Sequence, residues 1–168
     1  MTAGAQPTGL LAPLAELDYY DSQSVQLRRA VTPLEAWNRI MTQPMPLMSA
    51  AFRVRDAISA LFGVKRAGGF SGERVESVEV GDHLDFFLVE GISSDALILT
   101  ARDRHLDVMT TLSVAGRRVT ITASVVAHNA FGRAYMLPVG PAHRLIVRGM
   151  LKRLKASADR GETTAAHA

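Results

Sequence analysis

Cysteine is absent from the 168 residues. That excludes disulfides, thiolate zinc sites and a cysteine nucleophile, and it suits a reducing cytoplasm. Long apolar runs are lacking too. No stretch reaches the roughly eighteen residues of a membrane span. The opening MTAGAQPTGLLAPLAEL has neither the basic start nor the full apolar centre of a signal peptide. Aromatic residues make up only 6% of the chain. None is interleaved with the basic residues from Arg144 to Lys155, as stacking on single-stranded nucleic acid would require. The motif inventory is equally bare: G-x-S-x-G, the phosphate loop, H-E-x-x-H and G-x-G-x-x-G are all missing. These absences predict a cytoplasmic protein with no membrane span, no nucleic-acid partner, no metal and no cofactor.

What is present suits one soluble domain. A chain of this length buries roughly 70% of its unfolded surface and needs no cross-links. Residues 1–17 are rich in Ala, Pro, Gly and Leu and read as a flexible arm. Residues 18–156 form the domain, and 157–168 read as a disordered tail. The net charge is only +3, but basic residues gather late, at Arg133, Arg144, Arg148, Lys152, Arg153 and Lys155. Such a cluster suits an acidic partner, lipid headgroups or RNA; a solvated helix face is the simpler expectation.

The periodicity orders the elements. YYDSQSVQLRR (19–29) alternates as a strand. Thr32, Pro33 and Glu35 read as a cap, a first helical residue and a capping box, with Trp37 and Ile40 on the apolar side. After Pro44 and Pro46 a second helix runs from Leu47 to Phe62 on the stripe Leu47, Ala51, Val54, Ile58 and Leu61, and Gly63 stops it. From Arg74 the period becomes two, which predicts strands near 74–80, 84–91, 95–101, 104–115 and 118–128. Asn129 caps a long helix reaching Lys155, strained by Pro138, Gly140 and Pro141. A curved antiparallel sheet must cover its apolar face, and the final helix is the element long enough to do so. The expected fold is α+β of the helix-grip, START-like or SRPBCC type. Its sheet wraps around a long C-terminal helix, with two short helices after the first strand.

The stretch TARDRHLDVMTTL (100–112) offers a metal or active site. Gly116-Arg117 reads as a type II′ turn, which pairs Val114 with Val119, Leu106 with Ala127 and His105 with His128. Leu106, Val108, Thr110, Leu112 and Val114 then share the core face with Val119, Ile121, Ala123, Val125 and Ala127. His105, Asp107 and His128 fall together on the solvent face, where a cross-strand polar group is expected rather than zinc. Arg102, Asp103 and Arg104 read as a turn with local ion pairs.

A pocket needs polar groups on an apolar wall. The last helix carries Met136, Val139, His143, Ile146, Met150 and Leu154 as a stripe that His143 interrupts, with Gly149 placed for close approach to the sheet. His143, Tyr135, Trp37 and Met150 are candidate ligand contacts. Asp85, beside Asp82 at a strand start, is a candidate carboxylate base. For each, packing or capping is the plainer role.

VGDHLDFFLVE (80–90), RDRHLDVMTTL (102–112) and HNAFGRAYMLPVGPAHRLIVRGMLKR (128–153) resemble the family called domain of unknown function 2867, and YYDSQSVQL near the start fits it too. The last segment is the most specific, through Gly132, Arg133, Tyr135, Pro141, His143, Arg144 and Met150. The pattern often has tryptophan at the place of Phe87 and arginine at that of Leu88. The resemblance implies an SRPBCC-type fold, and no activity comes with it. Some relatives carry a preceding dehydrogenase-like nucleotide-binding domain, but none of its residues is found here, so no nicotinamide site follows. The expected function is binding of a small hydrophobic or amphipathic molecule between sheet and C-terminal helix. The alternatives are a cyclase, aromatase or isomerase using His143, Asp85 or Tyr135, and a cavity-less domain forming a homodimer.

Overall fold

The computed structural model describes residues 9–44, 46–61 and 70–165. After a single 3-10 turn at Leu14–Glu16, the order is β1 (Tyr19–Gln26), α1 (Pro33–Met41), α2 (Pro46–Leu61), β2 (His83–Leu84), β3 (Phe87–Ile92), β4 (Ala96–Arg102), β5 (Leu106–Ala115), β6 (Arg118–Ala127) and α3 (Ala130–Ala165). The six strands form one antiparallel, curved sheet in the order β1-β6-β5-β4-β3-β2. Among the described residues no helix is long and apolar enough to cross a membrane.

Local chemistry explains the boundaries. The Thr32 side chain accepts the Glu35 N–H at 3.1 Å, and Pro33 opens α1. Glu35 does not close a capping box: its carboxylate takes Arg39 at 2.7 Å and Arg29 at 3.0 Å instead. The β5–β6 hairpin has the register expected of a type II′ turn, with Gly116 at φ +60° and Leu106 opposite Ala127. β5 starts at Leu106 rather than residue 104 because Asp103 Oδ1 accepts the N–H groups of both His105 and Leu106, at 2.6 and 2.9 Å.

Elsewhere the strand pattern misleads. The expected strand at 74–80 is not a strand. Val75 gives its N–H and C=O to the buried Asn38 side chain, at 2.9 and 2.7 Å, rather than to a neighbouring strand. The expected strand at 84–91 is split by a tight turn at Asp85, whose φ of +56° ends β2. On α2, the side chains of Leu47, Val54, Ile58 and Leu61 lie outside the described residues, as does Gly63.

Asn129 Oδ1 accepts the Gly132 N–H at 3.0 Å and so caps α3. The helix continues through Pro138 and Pro141 to Ala165, ten residues beyond the expected stop at Lys155. Ala158 is fully buried there, so packing carries the helix past the point where composition turns polar.

The inner face of the sheet has two covers, not one. α3 lies along β1 and β6, and α1 lies over β4 and β5. Ile40 from α1, Leu154 from α3, and Val89, Leu97, Leu99 and Val119 from the sheet are all fully buried. Each contributes about 1.5–3 kcal/mol by leaving water. Trp37 packs edge-on against Phe70 and Phe87, at ring-centre distances of 5.9 and 6.2 Å. The outer face is not all solvent either. Gly9 and Leu11 lie across it, the Gly9 carbonyl accepting from Thr111 at 2.9 Å and the Leu11 N–H reaching Ser124 at 3.2 Å. Met109, Thr111 and Ser124 are buried on this face.

Candidate functional site

Cross-strand pairing puts the inner face in rows. One row is Tyr19, Val125, Val108 and Ala101; the next is Asp21, Ala123, Thr110 and Leu99. The row beyond, Gln23, Ile121, Leu112 and Leu97, is sealed from Ile121 to Leu97. In the first two rows Val108, Ala101 and Thr110 are only half-buried, and so is Leu106 beside them. β5 is a central strand, so its inner side chains would be covered if helix packed on them throughout. The sheet is therefore sealed toward the α1 end and open toward the first half of α3.

At the border of that opening, β1 and α3 meet through polar groups. The Tyr19 hydroxyl lies 3.1 Å from the Gly140 carbonyl and 3.4 Å from His143 Nδ1. The two rings meet edge to face at 5.8 Å. A carbonyl only accepts, so the single phenolic proton goes to Gly140. Nδ1 must then carry the proton of the imidazole and donate to the Tyr19 oxygen, which leaves Nε2 with a free lone pair. Among the described residues Nε2 has no hydrogen-bond partner. Burial pushes the His143 pKa down, with Asp21 acting the other way. Burial, reinforced by Asp21, raises that of Tyr19. Both rings are therefore neutral near pH 7. Asp21 is itself held by Gln23 at 2.7 Å and by Arg144 at 3.4 Å. The Arg144 guanidinium also lies 5.7 Å above the Tyr19 ring.

The close approach of α3 rests on glycines other than the expected one. A Cβ on Gly140 would sit 3.0 Å from the Tyr19 ring, and one on Gly132 only 2.3 Å from the His105 carbonyl oxygen. Gly149 has open space around it.

The five candidate contacts do not converge. His143 and Tyr135 share the first half of α3, where Tyr135 is half-buried and stacks on Phe131 at 6.3 Å. Met150 is buried further along, in the main core with Trp37. Asp85 sits at the β2–β3 turn, where its carboxylate accepts the Ser71 N–H at 2.9 Å. Asp82 caps its own turn by accepting from the Glu79 N–H at 2.8 Å. Tyr19, the direct partner of His143, was not among the candidates. Its alternation with Asp21 and Gln23, three polar side chains on the inward face of an edge strand, is the sequence signal that marks it.

The histidine cluster separates in three dimensions. Asp107 takes His128 Nε2 at 3.1 Å. The His105 ring turns instead toward Phe131, at 4.6 Å, and Asn129, and accepts from Arg104 at 2.9 Å. Arg102 is not confined to a local turn. It joins Glu90 at 2.9 Å to Asp107 at 3.2 Å across β3, β4 and β5, and its hydrogen bond holds the Glu90 pKa down. Among the described residues no three acidic or histidine side chains gather as metal ligands. Ion pairs through Arg102 and Asp107 tie the stretch 100–112 to its neighbouring strands and to His128. On the same outer face, a half-open groove of about 690 Å³ lies between the arm at Gly9-Leu10 and the residues Tyr20, Ile98, Thr111 and Thr122.

Fold and site together define an α+β domain: one antiparallel sheet, two helical covers, and a Tyr–His contact beside the unsealed part of its inner face. The chain belongs to the family described as protein of unknown function (DUF2867), whose pattern matches residues 13–150. No curated protein and no solved structure matches it.

Proposed function

We propose that this is a helix-grip, START-like domain that holds a small apolar or amphipathic ligand between the sheet and the first half of α3. One observation supports this above the others: the inner side of central strand β5 is half-open at Leu106, Val108 and Thr110, whereas Leu112 on the same strand is sealed. An apolar wall with a few placed polar groups is the usual make-up of a small-molecule site. Here the wall is Val108, Ala101 and Val125, and the polar groups are Thr110 and His143. A neutral imidazole with a free Nε2 lone pair favours a ligand bearing a hydroxyl or N–H donor. The test is fluorescence of anilinonaphthalene sulfonate with the folded protein. The dye should brighten with the wild type and lose that signal in Val108→Trp, which fills the space, while circular dichroism stays unchanged. Equal brightening in both proteins would overturn the reading.

A second reading has its own support. Tyr19 and His143 are two titratable groups in contact at the edge of the same surface, the arrangement an acid–base enzyme of the cyclase or isomerase kind needs. Native mass spectrometry distinguishes the two: a retained molecule identical to the added one supports binding, and its conversion supports catalysis.

A further inference from the structure

The outward side of α3 has an unusual charge distribution. From Ala130 to Ala158 the helix contains no acidic residue. Arg133, Leu137, Arg144, Arg148, Lys152 and Lys155 recur at spacings of four, seven, four, four and three, which keeps them on one side of the helix. All six are exposed, Leu137 at 76%, and Leu145 beside them is 59% exposed. Arg144 is partly neutralised by Asp21. Arg133, Arg148, Lys152 and Lys155 have no acidic partner among the described residues. Arg153, which points elsewhere, donates to the Pro44 carbonyl. The result is a stripe about 33 Å long, made of five cations, four of them without an acidic partner among the described residues, with two large apolar side chains among them.

We propose that this side of α3 docks on an anionic lipid surface. Cations spread along one line match a plane of negative headgroups, and each contributes a modest, additive attraction. Leu137 and Leu145 are placed to enter the headgroup layer, as the apolar members of an interfacial helix do. The stripe has no aromatic side chain on which bases could stack, which argues against single-stranded nucleic acid. The same helix borders the opening on the inner face, so docking would bring that opening close to the bilayer. The proposal does not depend on the ligand-binding reading.

The experiment is co-sedimentation of the full chain with vesicles of phosphatidylcholine alone and of phosphatidylcholine containing a minority of phosphatidylserine. At low salt the anionic vesicles should bind roughly tenfold more protein or better, and high salt should reverse this. Arg148→Glu with Lys152→Glu should reduce binding roughly tenfold or more, with an unchanged melting curve, since neither side chain packs inside. Leu137→Ser with Leu145→Ser should leave weaker binding that salt removes completely. Equal binding to both vesicle types, or none to either, would overturn the proposal. So would tighter binding to single-stranded RNA at the same salt, lost in the Arg148/Lys152 variant.

Discussion

The Tyr19 hydroxyl lies 3.4 Å from His143 Nδ1 while donating to the Gly140 carbonyl, so one phenol ties the edge strand β1 to two successive turns of α3. Gly140 makes this possible, because a Cβ there would press on the Tyr19 ring. The contact joins the sheet to the helix beside the open part of the inner face, and it sets the tautomer of His143.

Tyr19→Phe keeps the ring and removes the hydroxyl. It should lower stability by about 0.5–1.5 kcal/mol in a urea titration. His143→Leu should keep the fold and leave stability unchanged or slightly higher, because a desolvated imidazole is replaced by an apolar side chain. The same change should weaken binding of anilinonaphthalene sulfonate. Unfolding in His143→Leu would show that the imidazole is needed for structure. No change in either property would place its ring in solvent.

The pH dependence follows from burial. His143 has its folded pKa below the ordinary value of 6.5, with desolvation the main cause. Below about 6.5 the unfolded chain then binds more protons at this site than the folded one. Burial of the neutral ring therefore carries no protonation penalty above that pH, and stability falls as pH drops toward the lowered folded value. Wild type measured against His143→Leu should show a difference that grows only on the acid side. A flat difference across this range would contradict the buried placement.

Two helical glycines should respond oppositely to alanine. Helix propensity alone favours alanine at both by up to about 1 kcal/mol. At Gly149 nothing lies within 4 Å of the new methyl, so Gly149→Ala should stabilise. At Gly132 the methyl would meet the His105 backbone oxygen at 2.3 Å, so Gly132→Ala should destabilise by about 1–3 kcal/mol as the first turn of α3 is pushed off β5. Thermal melts of the two variants check the contrast.

Asn38 satisfies both backbone groups of Val75 from inside the core. Asn38→Ala should cost about 2 kcal/mol or more, since two buried polar groups lose their partner. Hydrogen exchange at the Val75 amide should speed up more than at the β5 and β6 amides. Unchanged exchange at Val75 would show that another group takes over the bond.

The sequence by itself determined the opening strand, the two helices after it and the long closing helix, the register of the β5–β6 hairpin, the caps at Thr32 and Asn129, and the sharing of a core face by Leu112, Val119, Ile121 and Val125. All of these follow from local chemistry: a period of two or about 3.6, a glycine that tolerates positive φ, a side chain that reaches its own helix end. His143 was also legible, because a polar residue breaks an apolar stripe. Its partner was not assigned, nor was the separation of His105 from the Asp107–His128 pair. Both depend on which way a ring turns at a strand end, and on what another element places beside it.

Only the tertiary structure decided which backbone groups find non-strand partners and which surfaces are covered. The alternation at 74–80 matches a strand, yet Asn38, some 37 residues earlier, takes the hydrogen bonds a strand would need. Thr111 and Ser124 alternate as solvent residues, yet the backbone at Gly9 and Leu11 covers them. The polar composition after Lys155 suggests a tail, yet burial of Ala158 keeps α3 helical. In each case periodicity reports the face a residue presents, while what meets that face comes from far away in the chain.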